Sequence, residues 1–305
     1  MEEQLLTILT PTYNRRDLLP RLYDSLRKQT NQDFQWLVID DGSTDGTMDL
    51  IRNFHGHSFS FDFYTKPNGG KHTALNYAHP YVKGKLTCIV DSDDWLLPHA
   101  VQAIIDTYTQ YQSMAQVGCL TFLKGIDSSN PVNGLFPEGP VVSNEIDFKI
   151  NGHRMKGDCC EVIYTKILKD HPFPEYDGEK FMGEGYLWNY LGFRYDSVYI
   201  NQVIYICEYL EGGLSKSGRL LRVSCPYGGM ANSNSFLERL NGRKVNLSVM
   251  VKEVLLFICY GKFAGLNYQE IRRRCKRNAI VPVLYPFGII LYFYWKKKYV
   301  SNGER

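Results

Sequence analysis

Short runs of β-forming residues alternate with stretches of helical spacing through the first 125 residues, and a polar loop follows each run. Strands are expected at Leu5–Leu9, Phe34–Ile39, Phe59–Tyr64 and Leu86–Val90, while Leu18, Leu19, Leu22 and Leu26, then Met48 and Ile51, then Ala74, Leu75 and Ala78 recur at helical intervals. Such alternation predicts an α/β domain with a mostly parallel sheet covered by helices on both faces. Ligands of such sheets bind beyond the carboxyl ends of the strands. That rule selects TPTYN (10–14), DDGSTDGT (40–47), KPNGGKHT (66–73) and DSDD (91–94), so four polar loops are expected to share one crevice.

Residues 126–232 read as a second, less regular half of the same domain, with glycines and prolines at 125, 131, 134, 137, 139 and 140 marking an excursion over the sheet. Helices are expected around Glu161–Leu168 and Gly183–Leu191, and a strand at Val198–Tyr205. From residue 233 to 305 the chain reads as a helical extension. Val245, Val249, Val254 and Ile258 mark one apolar element, and the 17-residue run AIVPVLYPFGIILYFYW (279–295) ends in three lysines. Pro282, Pro286 and Gly288 interrupt that run, which is at the short end for a bilayer span. A shallow attachment to an anionic membrane surface is the expectation, with the basic residues at the headgroups. A formal net charge of +3 gives no case for nucleic acid as a partner. Eight cysteines without a CxxC pair, and an acidic rather than basic N-terminus, point to a reducing cytoplasm without an export signal.

Three carboxylates in DSDD need a counter-charge. A single Asp would suffice to cap the helix that follows, whereas Asp91 and Asp93 at a strand end suit a hard divalent cation, Mn²⁺ or Mg²⁺, shared with a substrate diphosphate. Asp40 and Asp41 repeat the pattern one strand over. With Pro11, Thr12 and Tyr13 of the first loop they form a candidate nucleotide site, in which Tyr13 offers a ring for a base and a carboxylate accepts the imide N–H of uracil. Lys71 is a candidate phosphate contact from the third loop.

TPTYNR, LVIDDGSTDGT, NGGKHTALN and DSDD, in this order, resemble the family 2 glycosyltransferases of the GT-A fold. The resemblance is close over about the first hundred residues and looser over the next hundred. It implies nucleotide binding by the first loops, usually of UDP, and a metal on the diphosphate, at positions matching Pro11, Tyr13, Asp41, Lys71, Asp91 and Asp93. It also implies inverting transfer, for which a general base must activate the acceptor hydroxyl. The family's base lies in a Glu-Asp pair at a helix start; here the matching stretch is GEKFMGEGYLWNYLG (178–192), with Gly185 in the place of the Asp. Glu184 is the candidate base, and Asp158 in KGDCCEV is the alternative base or an acceptor ligand. The segment 208–222, with Gly212, Gly213, Ser215, Lys216, Arg219 and Arg222, resembles the part of these enzymes that closes over the donor.

The function expected is transfer of a sugar from a UDP-sugar to a glycan acceptor carried on a polyprenyl diphosphate, at the inner face of the plasma membrane, in cell-surface polysaccharide synthesis. Two rivals are a non-catalytic nucleotide-sugar-binding protein that has lost its base and a sugar nucleotidyltransferase. The latter would carry a glycine-rich phosphate loop where this chain has TPTYNRRD.

Overall fold

The computed structural model describes residues 4–137, 139–152, 157–208 and 214–300. Its first half follows the expected rhythm: β1 (Leu6–Thr12), α1 (Leu19–Arg27), β2 (Gln35–Asp40), α2 (Thr47–Arg52), β3 (Ser60–Thr65), α3 (Lys71–Ala78), β4 (Leu86–Ile89), β5 (Trp95–Leu96), α4 (Ala100–Tyr111) and β6 (Val117–Gly125). There follow β7 (Val141–Ser143), a wide helical turn at Ile146–Asn151, β8 (Cys160–Tyr164), α5 (Thr165–Asp170), α6 (Gly185–Arg194) and β9 (Asp196–Ile206). The sheet order is β3-β2-β1-β4-β8-β6-β9-β5, with β7 on β9. Strands β1 to β4, β6 and β9 point one way, and β5, β7 and β8 run against them. The first four strands therefore form a purely parallel half, and the second half is mixed.

Alternation along the central strands explains why helices cover both faces. Side chains of a strand point to opposite sides in turn. Leu6 and Ile8 of β1, with Trp36 and Val38 of β2, meet Leu19, Leu22 and Leu26 of α1 in one core. Leu9, Leu37 and Ile39, from the same strands, meet Ala74 and Leu75 of α3 and Leu187 and Leu191 of α6 in another. Both strands are buried at every position.

The helix expected over Glu161–Leu168 is a strand up to Tyr164 and a helix only from Thr165. The sequence CEVIY fills the gap between β4 and β6 antiparallel to both, and a short apolar run buried on two faces carries no alternation to distinguish it from a helix. Its reversed direction brings residue 158, just before it, to the edge where the parallel strands end.

The C-terminal part is helical: α7 (Leu214–Ser224), α8 (Pro226–Phe236), α9 (Leu247–Phe263), α10 (Tyr268–Arg274) and α11 (Val281–Trp295). Residues 232 and 233 both lie inside α8, whose Met230 packs with Phe257, Ile258 and Trp295 in a third core. Asn246 caps α9 by accepting from the Val249 N–H, and Asn267 with Glu270 forms a reciprocal cap on α10. Among the described residues, no helix is long and apolar enough to cross a membrane.

Candidate active site

The first two loops are tied directly to each other. Asn14 adopts a left-handed backbone conformation, which Asn tolerates better than most residues. Its N–H donates to Ser43 Oγ at 2.8 Å and its Oδ1 accepts from the Thr44 N–H at 2.8 Å, while the Arg15 N–H donates to Thr47 Oγ1. Pro11 and Thr12 lie at the end of β1, opposite Ile39 and Asp40. Thr12 is buried and its hydroxyl has no partner among the described residues. Tyr13 stands 44% exposed at the rim, its ring open to a stacking ligand.

Asp41 fastens the third loop to the second. One carboxylate oxygen accepts from Lys66 Nζ and the Gly69 N–H, both at 2.9 Å; the other accepts from Asn68 Nδ2 at 3.0 Å and the Gly70 N–H at 2.7 Å. A carboxylate offers about four acceptor positions, and these donors fill them. Asp40 is equally buried and accepts from Thr65 Oγ1 and the Ser43 N–H. Were Asp41 the carboxylate acceptor for a uracil imide, the imide would have to displace one of its four donors. In this arrangement Asp41 shapes the site through the loop that leads into α3.

That loop ends at Gly70, whose φ is +94°; a Cβ there would lie 1.9 Å from the Lys180 carbonyl oxygen. Only glycine permits the approach, and it brings Lys71 beside the segment that carries Glu184. Lys71 Nζ bridges Asp91 and Glu184, 2.6 Å from Glu184 Oε1. Burial works to lower the Lys71 pKa, but the Asp91 and Glu184 carboxylates outweigh it and hold the ammonium above its ordinary value. Burial likewise works to raise Asp91, and the Lys71 and Lys124 ammoniums bring it below the usual carboxylate range. The candidate cation loop and the candidate base, 93 residues apart in sequence, are thus joined through one side chain.

The three aspartates of DSDD have separate surroundings. Asp93 is partly exposed, with Arg15 Nε 3.7 Å from it. Asp94 is buried, accepts from Tyr205 Oη at 2.6 Å, and has its carboxyl pushed up to about 6 by burial. Tyr205 Oη also accepts from the Asp91 N–H, so this residue of β9 fixes the turn from below. Asp94 is an anchor of the loop, which leaves Asp91 and Asp93 as the pair open to a ligand. Two partly exposed carboxylates on one turn fit Mn²⁺ or Mg²⁺, which bind few protein oxygens when a substrate phosphate supplies others. Among the described residues no three His, Cys, Asp or Glu side chains are gathered as an all-protein cage would need.

Lys124, at the end of β6, escapes sequence reasoning. Its ammonium lies 4.2 Å from the centre of the Tyr205 ring, and Asp91, Glu161 and Glu184 raise its pKa against the opposing effect of burial. A lysine closing an apolar strand, VGCLTFLKG, was the available signal. Trp95, adjacent to the aspartates, is covered by the Arg21 guanidinium at 4.0 Å rather than open as a sugar platform. Asp158 is exposed, and its carbonyl accepts from Asn133 Nδ2. Glu179 caps α8 by accepting the Tyr227 and Gly228 N–H groups.

Gly185 begins α6 directly after Glu184. A Cβ at Gly185 would come 3.0 Å from Oδ1 of Asn232 on α8, so a larger residue here would have to push that side chain aside. In the expected closing segment, Gly212 and Gly213 lie outside the described residues, as do the Ser215 and Lys216 side chains. All eight cysteines are free thiols.

The sequence profile of the family described as Glycosyl transferase family 2 matches residues 7–162. A chondroitin synthase of Pasteurella multocida is 34% identical over 140 residues, which cover 46% of this chain and 13% of the synthase. A GalNAc(5)-diNAcBac-PP-undecaprenol beta-1,3-glucosyltransferase of Campylobacter jejuni is 25% identical over 207 residues, covering 66% of this chain and 63% of that protein. This chain therefore spans a small part of the first relative and somewhat under two thirds of the second. Among solved structures, Staphylococcus aureus TarS 1-349 in complex with UDP superimposes with a TM-score of 0.63 over 98% of this chain and 88% of that one, at 16% identity. The fold is the GT-A arrangement of glycosyltransferases.

Proposed function

The chain belongs to glycosyl transferase family 2, and we propose that it moves one sugar from a UDP-sugar to a glycan acceptor with inversion at the anomeric carbon. The observation that carries this reading is the bridge from Asp91 through Lys71 to Glu184. It supports Glu184 as the base, since one ammonium holds it beside a carboxylate that would bind the donor diphosphate. The uridine assignment is supported by the UDP complex of TarS and by the half-exposed Tyr13 ring.

Asp91 and Asp93 would hold Mn²⁺ or Mg²⁺, and the ion would neutralise charge on the departing diphosphate. Glu184 accepts the proton of the acceptor hydroxyl as that oxygen bonds to the anomeric carbon and the carbon–oxygen bond to UDP breaks. Lys71, released from part of its pairing by the incoming phosphates, faces the leaving group. Asp158, exposed at the same edge of the sheet, is the alternative base or a contact for the acceptor. A polyprenyl-diphosphate-linked glycan met at the inner face of the plasma membrane is the proposed acceptor. Its support is the name of the Campylobacter relative together with the apolar and basic C-terminal helices.

Calorimetric titration of UDP tests the donor half. Binding should require Mn²⁺ and should be lost in Asp93→Ala. Failure of the wild-type protein to bind UDP with or without metal would overturn the uridine assignment.

A further inference from the structure

Helix α11 is apolar all round, but protein covers only one side of it. Val281, Gly288 and Trp295 face inward, and Gly288 lets the helix approach α9 so closely that a Cβ would lie 2.5 Å from Ile258 Cγ2. On the opposite side Val283, Phe287, Ile290, Phe293 and Tyr294 are 56–69% exposed. At 100° per residue, positions 283, 287, 290 and 294 fall within one narrow stripe. The apolar surface continues across α9, where Leu247, Val251, Leu255 and Leu256 line a groove of about 620 Å³ closed by Leu291 of α11. An exposed surface of this kind marks a site of association.

Charge identifies the occupant. From residue 271 to 300 the chain has eight Lys and Arg and no Asp or Glu. Lys296, Lys297 and Lys298 directly follow the stripe, and Arg272 and Arg273 are exposed on the neighbouring α10. A protein partner of ordinary mixed charge does not call for that one-sided composition, whereas a bilayer with anionic headgroups does. Length excludes a crossing: 15 residues of helix reach about 22 Å, against roughly 30 Å of hydrocarbon.

We propose that the outer face of α11, with the α9–α11 groove beside it, docks this protein onto an anionic lipid bilayer, with the helix lying in the plane of the headgroups. This deepens the membrane part of the function proposed above and rests on it for its biological sense. The geometry stands on the helices alone. Inner-face contacts with α9 remain intact on docking, so the helix needs no unfolding to reach the lipid.

Vesicle flotation tests it on the full chain, with equimolar phosphatidylglycerol and phosphatidylcholine against phosphatidylcholine alone. UDP titration of the same preparations serves as the folding control. Wild type should float with the anionic vesicles and be released by salt, and replacing Lys296, Lys297 and Lys298 by Gln should weaken partitioning by about a hundredfold. Phe287→Glu with Ile290→Glu should abolish flotation and leave UDP binding unchanged. If wild type binds UDP but does not float, the docking proposal fails and the transferase reading stands. If it instead self-associates in sedimentation and the Glu pair abolishes that, the face is a protein contact and the proposal is overturned. Equal flotation of wild type and the Glu pair would overturn the assignment to α11.

Discussion

Replacing Asp41 by Asn changes one atom and should loosen a whole loop. Hydrogen bonds to a charged group contribute about 1.5–3 kcal/mol each. Whichever way the new amide turns, its NH₂ faces two of the four donors now held: Lys66 with Gly69, or Asn68 with Gly70. Loss of two such bonds, with the charge removed from the remaining two, should cost about 3 kcal/mol or more of local stability. That amount raises the open population of the loop by more than about a hundredfold. Strands β1 and β2 are buried throughout and should hold the domain folded, so the opening stays local. Amide exchange resolved at Gly69 and Gly70 should accelerate by that factor, and UDP affinity in Mn²⁺ should fall with it because Lys71 loses its mooring. Unchanged exchange at both glycines with weakened UDP binding would refute this reasoning. Asp41 would then act on the nucleotide itself, as the imide acceptor expected from the sequence.

Glu184→Gln should leave the UDP dissociation constant in Mn²⁺ near wild type and lower transfer by about 10²–10⁴-fold; a variant keeping most of its activity would shift the base to Asp158. Glu161 is largely enclosed beside Lys149, and desolvation lifts its carboxyl to about 7 despite the lysine's opposing pull. Its folded pKa lies above the unfolded one, so its penalty is absent below about pH 4.5 and complete above about pH 7, reaching about 3 kcal/mol. In urea titrations wild type should therefore lose stability relative to Glu161→Gln as pH rises through that window, and a constant difference would contradict it. Gly70→Ala combines a left-handed φ with a Cβ 1.9 Å from Lys180 O and should cost at least about 2 kcal/mol in thermal unfolding. Gly185→Ala, meeting only the Asn232 side chain at 3.0 Å, should cost clearly less; equal losses would show that neither close approach sets the cost.

The parallel half of the sheet was legible because its strands carry alternating cores and end in polar loops, and those loops do share one edge. β8 was not, since CEVIY has no periodicity once both faces are buried. Within the site, the acidic pair Asp91 and Asp93 stood out by position and number. Asp94 looked the same in sequence, and its burial with the Tyr205 hydroxyl, 111 residues away, and the Glu208 N–H as donors distinguishes it. Asp41 read as a ligand contact because an Asp-Asp-Gly turn does not reveal which backbone amides will converge on it. Lys66, Lys124 and Tyr205 belong to the site by tertiary placement, which local spacing does not encode.

A Cβ at Gly185 would press on Asn232 of α8, and hydrogen bonds and an ion pair run along the same seam. Glu179 caps α8, Asn189 Nδ2 donates to Ser235 Oγ, and Arg194 pairs with Glu238 through two bonds. The segment that carries the candidate base is thus tied to the C-terminal part at three places, all beyond residue 162 where the family profile stops matching. For chimera design this sets the permissible crossover. A junction before Glu179 keeps this seam intact provided the incoming donor half retains Gly70 and Lys71 against Lys180 and Glu184, while any junction between Arg194 and Pro226 would strand Glu184 against a foreign α8. Residues 179–238 should be transplanted as one cassette.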